Sequence, residues 1–127
     1  MYQNYLTRNI PTLFRLYFFA IILLITLPIN KSGALNDITV VHLRGDYFFH
    51  ILTFIPWAFF GLVMKKNMWI WMIPGLLFAF GTELLQLILP WRRFNINDLI
   101  ANGTGVLLGT LIFVLVRIIQ GAFVIKK

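Results

Sequence analysis

Four long apolar runs leave this chain few folds to choose from. They are "LFRLYFFAIILLITLPI" over 13–29, "YFFHILTFIPWAFFGLVM" over 47–64, "MWIWMIPGLLFAFGTELLQLILP" over 68–90 and "LIANGTGVLLGTLIFVLV" over 99–116. A hydrocarbon core of about 30 Å is crossed by roughly 17–25 helical residues, so each run can span a bilayer. No run keeps a period of two, and all exceed strand length. With 60% hydrophobic residues, the chain is richer in apolar side chains than a soluble domain, where they make up about half. The expectation is an all-α integral membrane protein with four transmembrane helices, and residues 1–127 form a single domain. The first run is read as an uncleaved anchor rather than a signal peptide, because "LPINKSGALND" offers no small-x-small cleavage site.

The net charge of +7, from 11 basic and 4 acidic residues, would suggest nucleic acid in a soluble protein. Here most basic residues flank the apolar runs, where they meet lipid headgroups. No basic helix face and no nucleic-acid motif is present, so the expected partner is the lipid bilayer. The absence of cysteine excludes disulfides, thiolate chemistry and zinc–cysteine sites. One set of loops and ends holds Arg8, Arg15, Lys65, Lys66, Arg117, Lys126 and Lys127; the other holds Lys31, Arg44, Arg92 and Arg93. The richer set belongs inside, which places both termini in the cytoplasm. Pro56 and Pro74 fall within helices and tend to kink them. Trp57, Trp69, Trp71 and Trp91 are read as interfacial anchors.

Polar residues inside such runs need a reason. Asp46 and His50 are four apart, so they share a helix face at the start of the second helix. Asp46 is either an N-terminal cap or the carboxylate that orients His50 as a base. Glu83 and Gln86 are three apart, and Glu83 lies about 10 Å below the end of its helix. A carboxylate at that depth must face the bundle, find a partner or be protonated. Its alternatives are an interhelical hydrogen bond, for instance to Asn102, and an acid/base or ligand role. Arg92 and Arg93 lie in the third loop, as solvated cations or as a fork for phosphate or carboxylate. Asp98 can cap the fourth helix; Asn102, one turn in, needs partners in hydrocarbon. Gly105 and Gly109 continue its face as a strip for close helix packing. On the expected topology all these polar residues gather at the outer end of the bundle, as a pocket would.

Together these residues resemble the VanZ-like family, known for teicoplanin resistance in bacteria. The resemblance runs from Asp46 to about Gly109. It rests on Asp46 and His50 in "DYFFH", Glu83 and Gln86 in "ELLQ", Arg92 in "PWRRF", and Asp98, Asn102, Gly105 and Gly109 in "DLIANGTGVLLG". Tyr47 replaces a common lysine, Asn95 a common acid, and Arg93 is an added cation. The resemblance implies a small integral protein of the bacterial cytoplasmic membrane, linked to glycopeptides or cell-envelope material.

The leading expectation is a protein that binds, or also modifies, a lipid-linked anionic envelope component such as a cell-wall precursor, or a glycopeptide, at the outer membrane face. In the enzyme version His50 is the general base, oriented by Asp46, Glu83 is the acid or a metal ligand, and Arg92 clamps a lipid phosphate. The remaining alternative is structural: the polar side chains bond to each other and hold the bundle. No cofactor motif is present, and neither cofactor nor metal is expected.

Overall fold

The computed structural model describes residues 2–27, 39–40 and 43–124. They form four helices, α1 (Tyr2–Thr26), α2 (Gly45–Val63), α3 (Met68–Leu87) and α4 (Ile96–Val124). Each contains a stretch long and apolar enough to cross a membrane, so the protein is an all-α, four-span membrane protein. Just ahead of α2, Thr39–Val40 pairs antiparallel with Leu43–Arg44, a strand pair too short to leave a periodic pattern in the sequence. Pro28, Ile29, Lys31, Lys126 and Lys127, which entered the sequence reading, lie outside the described residues.

Helix ends depart from the apolar runs where something other than lipid decides them. α1 starts at Tyr2 rather than near Leu13, and α4 outruns its apolar stretch at both ends. Hydropathy reports only the lipid-facing part of a helix, and the polar turns beyond it are invisible to it. α3 stops at Leu87, short of Pro90. There the N–H groups of Ile88 and Leu89 donate to Leu85 O (3.3 Å) and Gln86 O (3.4 Å), the tighter pattern of a closing turn. Leu89 precedes proline and is disfavoured in helical geometry.

The α2–α3 turn is built from standard end groups. Lys65 adopts a left-handed φ of 56°. Its N–H donates to Leu62 O (3.0 Å), and that of Lys66 donates to Gly61 O (2.8 Å), which closes α2 in a Schellman motif. Asn67 opens α3, its Oδ1 accepting from Trp69 N–H (3.1 Å) and Ile70 N–H (3.4 Å).

Two tryptophans lock α2 to α3 reciprocally, which corrects their reading as interfacial anchors. Trp57 Nε1 donates to Trp71 O (3.0 Å), and Trp71 Nε1 donates to Trp57 O (2.9 Å). The rings stack at 5.3 Å with 23° between planes. Each indole also lies over the glycine four residues beyond the other tryptophan. A Cβ on Gly75 would sit 2.6 Å from Trp57 Nε1, and one on Gly61 would overlap Trp71 Cδ1. The sequence carries both halves of this clasp as "WAFFG" and "WMIPG". α1 leans on the clasp through Phe14, whose ring meets Trp57 edge-on at 5.2 Å, and through Phe18, stacked on Phe78 at 4.4 Å.

α4 packs against α2 along its glycine strip, as its spacing predicts. A Cβ on Gly109 would come within 2.7 Å of Ile55 O, and one on Gly105 would overlap Ile51 O. Without a hydrophobic drive between helices in lipid, such close backbone approach and the polar bonds it permits hold the pair. The outward faces expose Leu16, Phe19, Leu23, Ile70, Leu77, Leu111 and Leu115, as lipid contact requires.

Candidate polar site at one end of the bundle

α1 ends, α2 begins, α3 ends and α4 begins at the same end of the molecule, and these four termini carry the polar residues. Asp46, Glu83, Gln86, Asp98 and Asn102 are all buried there. Glu83 has no exposed surface, so the requirement that it face the bundle is met. Asn102 Nδ2 donates to Glu83 Oε1 (3.1 Å), the interhelical bond named among the alternatives for that carboxylate. Gln86 Nε2 also donates to Glu83 Oε1 (3.3 Å).

His50 stands at the other end of this chain of bonds. Its Nδ1 lies 2.9 Å from Asn102 Oδ1. Because Asn102 turns its Nδ2 to Glu83, the atom facing His50 is an acceptor, so Nδ1 carries the proton. In the neutral ring Nε2 then holds the lone pair, and it lies 3.6 Å from Asp98 Oδ2. Among the described residues the contacts of the ring nitrogens are thus to Asn102 and Asp98 on α4. Asp46 sits in the first turn of α2, where negative charge suits the helix dipole, one residue inside the start at Gly45.

The cap of α4 is Asn95, not Asp98. Asn95 Oδ1 accepts from Asn97 N–H (3.0 Å), and its main-chain O takes the first helical bond, from Leu99 N–H (3.1 Å). Asn95 Nδ2 donates to Asp98 Oδ1 (3.0 Å), so the cap also steadies the carboxylate that faces His50. The sequence carries a signal for this cap: an asparagine three residues before an acid at a helix start.

Arg92 departs most from its expected part. Its Nε donates to Ile25 O (3.1 Å), and its Nη2 donates to Leu24 O (2.8 Å) and Leu27 O (3.1 Å). These are carbonyls at the C-terminal end of α1, which lack helical partners and carry partial negative charge. Trp91 Nε1 donates to Thr26 O (3.1 Å) alongside. The third loop therefore caps α1, and of the Arg92 guanidinium only Nη1 is uncommitted among the described residues. Arg93 is exposed.

A cavity of about 110 Å³ opens between α1 and the other helices. Its polar wall is His50, Thr53, Gln86, Arg92 and Asn102, and its apolar wall is Ile21, Leu24, Ile25 and Phe54. Thr53 stands three residues after His50 and continues the face of Asp46 and His50, a spacing that marks it, whereas the aliphatic α1 wall carries no polar residue to mark it. Among the described residues, no three His, Asp or Glu side chains come together as metal ligands.

Fold and site define a class: a four-span membrane protein whose buried polar side chains, drawn from α2, α3 and α4, meet at one end of the bundle. Within that class the chain belongs to the VanZ/LLP1 family, whose model matches residues 2–117 and so takes in α1, which the motif resemblance did not reach. No curated protein and no solved structure matches it.

Proposed function

We propose that this protein binds the head of an anionic, lipid-linked envelope component at the outer face of the bacterial cytoplasmic membrane, with both termini in the cytoplasm. The supporting observation is the cavity at the polar end of the bundle, with one wall of hydrogen-bonding side chains and one of aliphatic ones. The excess of lysine and arginine at the other end supports this orientation. Arg92, with Nη1 uncommitted among the described residues, lines this cavity, and exposed Arg93 follows it in the loop, so these two are the cations proposed to meet the anionic head. A contribution to teicoplanin resistance belongs to this reading through the family. The test uses purified protein in nanodiscs with a polyprenyl phosphate. Wild type binds it, and Arg93→Ala weakens binding several-fold at unchanged helix content. A wild type without affinity removes the proposal.

One observation favours a structural reading: the bonds from His50 through Asn102 to Glu83 tie α2, α4 and α3 together. On that reading Glu83→Ala lowers the unfolding temperature, and polyprenyl phosphate binds neither protein.

A further inference from the structure

The end of the bundle opposite the polar site carries charge of one sign. The described acids, Asp46, Glu83 and Asp98, all belong to the polar end. At the other end α2 closes and α3 begins, in the turn that holds Lys65 and Lys66, both exposed. Arg117 of α4 joins them. Its Nη2 donates to Leu62 O (3.3 Å), the carbonyl that also accepts from Lys65 N–H (3.0 Å). The guanidinium and the main chain of Lys65 thus meet on one oxygen, and Lys66 is the next residue. Nε and Nη1 of Arg117 are uncommitted among the described residues.

One carbonyl dipole does not balance three cations. A lysine in water needs no counter-charge. Arg117 is placed differently: it is half-buried and falls within the apolar stretch Ile96–Gly121 of α4, where a charge is costly unless it is paired. The surroundings say what brings the anion. Trp69 and Ile70 in the first turn of α3 are exposed, as are Ile118 and Ile119 beside Arg117. An exposed indole next to such a turn belongs at the headgroup level of a bilayer. A free anion would leave these apolar side chains bare. An amphiphile covers them with its chains while it brings a phosphate to the cations. A choline or ethanolamine headgroup would add a fourth cation to the cluster, whereas a headgroup charged only at its phosphate adds none.

We infer that Arg117, Lys65 and Lys66 form a binding site for the phosphate of an anionic phospholipid, in the leaflet that meets the α2–α3 turn. The guanidinium, oriented by Leu62 O, supplies directed hydrogen bonds, and the two lysines supply charge. This site is separate from the polar end and stands whether or not that end binds a lipid-linked component.

The experiment places the full chain in nanodiscs of phosphatidylcholine and phosphatidylglycerol in equal parts, extracts it in mild detergent, and counts the retained lipids by native mass spectrometry. Wild type retains phosphatidylglycerol in preference to phosphatidylcholine. Arg117→Gln, Lys65→Gln and Lys66→Gln each lower that preference about fivefold, the effect of one basic residue near an anionic surface. Arg15→Gln removes the same charge from an exposed position on α1 and leaves the preference nearly unchanged. Inorganic phosphate does not displace the lipid. Equal retention of the two lipids by wild type overturns the inference. A loss in Arg15→Gln as large as in Arg117→Gln overturns it too, because the preference is then one of overall charge. Displacement by inorganic phosphate overturns it in favour of a free anion. Because Lys65 and Lys66 are exposed, their variants and the wild-type comparison decide even where Arg117→Gln fails to fold.

Discussion

Alanine at Gly105 should disturb the polar site without touching any of its side chains. The geometry at Gly109 sets the scale. A Cβ there lies 2.7 Å from Ile55 O, and ordinary contact begins near 3.4 Å, so α4 must withdraw from α2 by about 0.7 Å. At Gly105 the overlap is with Ile51 O, with Phe54 Cβ at 3.0 Å behind it, and the required shift is larger. The obstacle is backbone, which cannot rotate away. A rigid withdrawal of about 0.7 Å stretches the 2.9 Å contact of His50 and Asn102 to about 3.6 Å, beyond hydrogen-bond range. Overpacking costs about 1–3 kcal/mol, and a buried polar pair left apart costs about 1–3 more. Alanine returns up to about 1 kcal/mol through helix propensity. The expected net loss is about 1–6 kcal/mol. Gly103, on the same helix, is the control: its Cβ meets only Leu76 Cδ2, at 3.9 Å, so Gly103→Ala is neutral or stabilising by up to about 1 kcal/mol. Thermal unfolding in detergent, followed by helical circular dichroism, reads both. If the two variants unfold alike, close backbone approach is not what joins α2 to α4, and the reasoning fails.

Two further outcomes follow from the helix ends. Lys65→Gly should stabilise the α2–α3 turn by about 1 kcal/mol, since glycine meets no steric penalty at φ 56°; an unchanged or lower unfolding temperature contradicts that geometry. Arg92→Lys keeps the charge but cannot serve three carbonyls at once. It should therefore speed hydrogen exchange at the C-terminal end of α1 while leaving α3 and α4 protected, and uniform protection would show that Arg92 is not the cap of α1.

What could be read in advance was whatever a single helix settles by itself. The spans came from apolar length, and the faces of Glu83 with Gln86 and of Asn102 with Gly105 and Gly109 came from periodicity. The bond from Glu83 to Asn102 was already among the alternatives, because a buried carboxylate and a buried amide facing the bundle have few other partners. What stayed hidden depends on how one helix sits against another. Arg92 reads as a phosphate fork until α1 is seen to end beneath it. Trp57 and Trp71 read as interface anchors until antiparallel packing sets each over the other's glycine. His50 reads as the partner of Asp46 along α2, whereas the geometry turns its ring toward α4. Periodicity says which side of a helix is polar, and only packing says what that side meets.

The tryptophan clasp has a consequence for the order of assembly. Both of its halves lie within 57–75, close to the turn, so it can close as soon as α3 has followed α2 out of the translocation machinery. It needs nothing from α4. The bonds of Asn102 to His50 and Glu83 cannot exist until α4, which is made after α3, has docked on its glycine strip. During synthesis the hairpin is therefore already registered at one end while its polar end still lacks Asn102 and Asp98. A chain truncated before Asn95 would keep the clasp and lose the site.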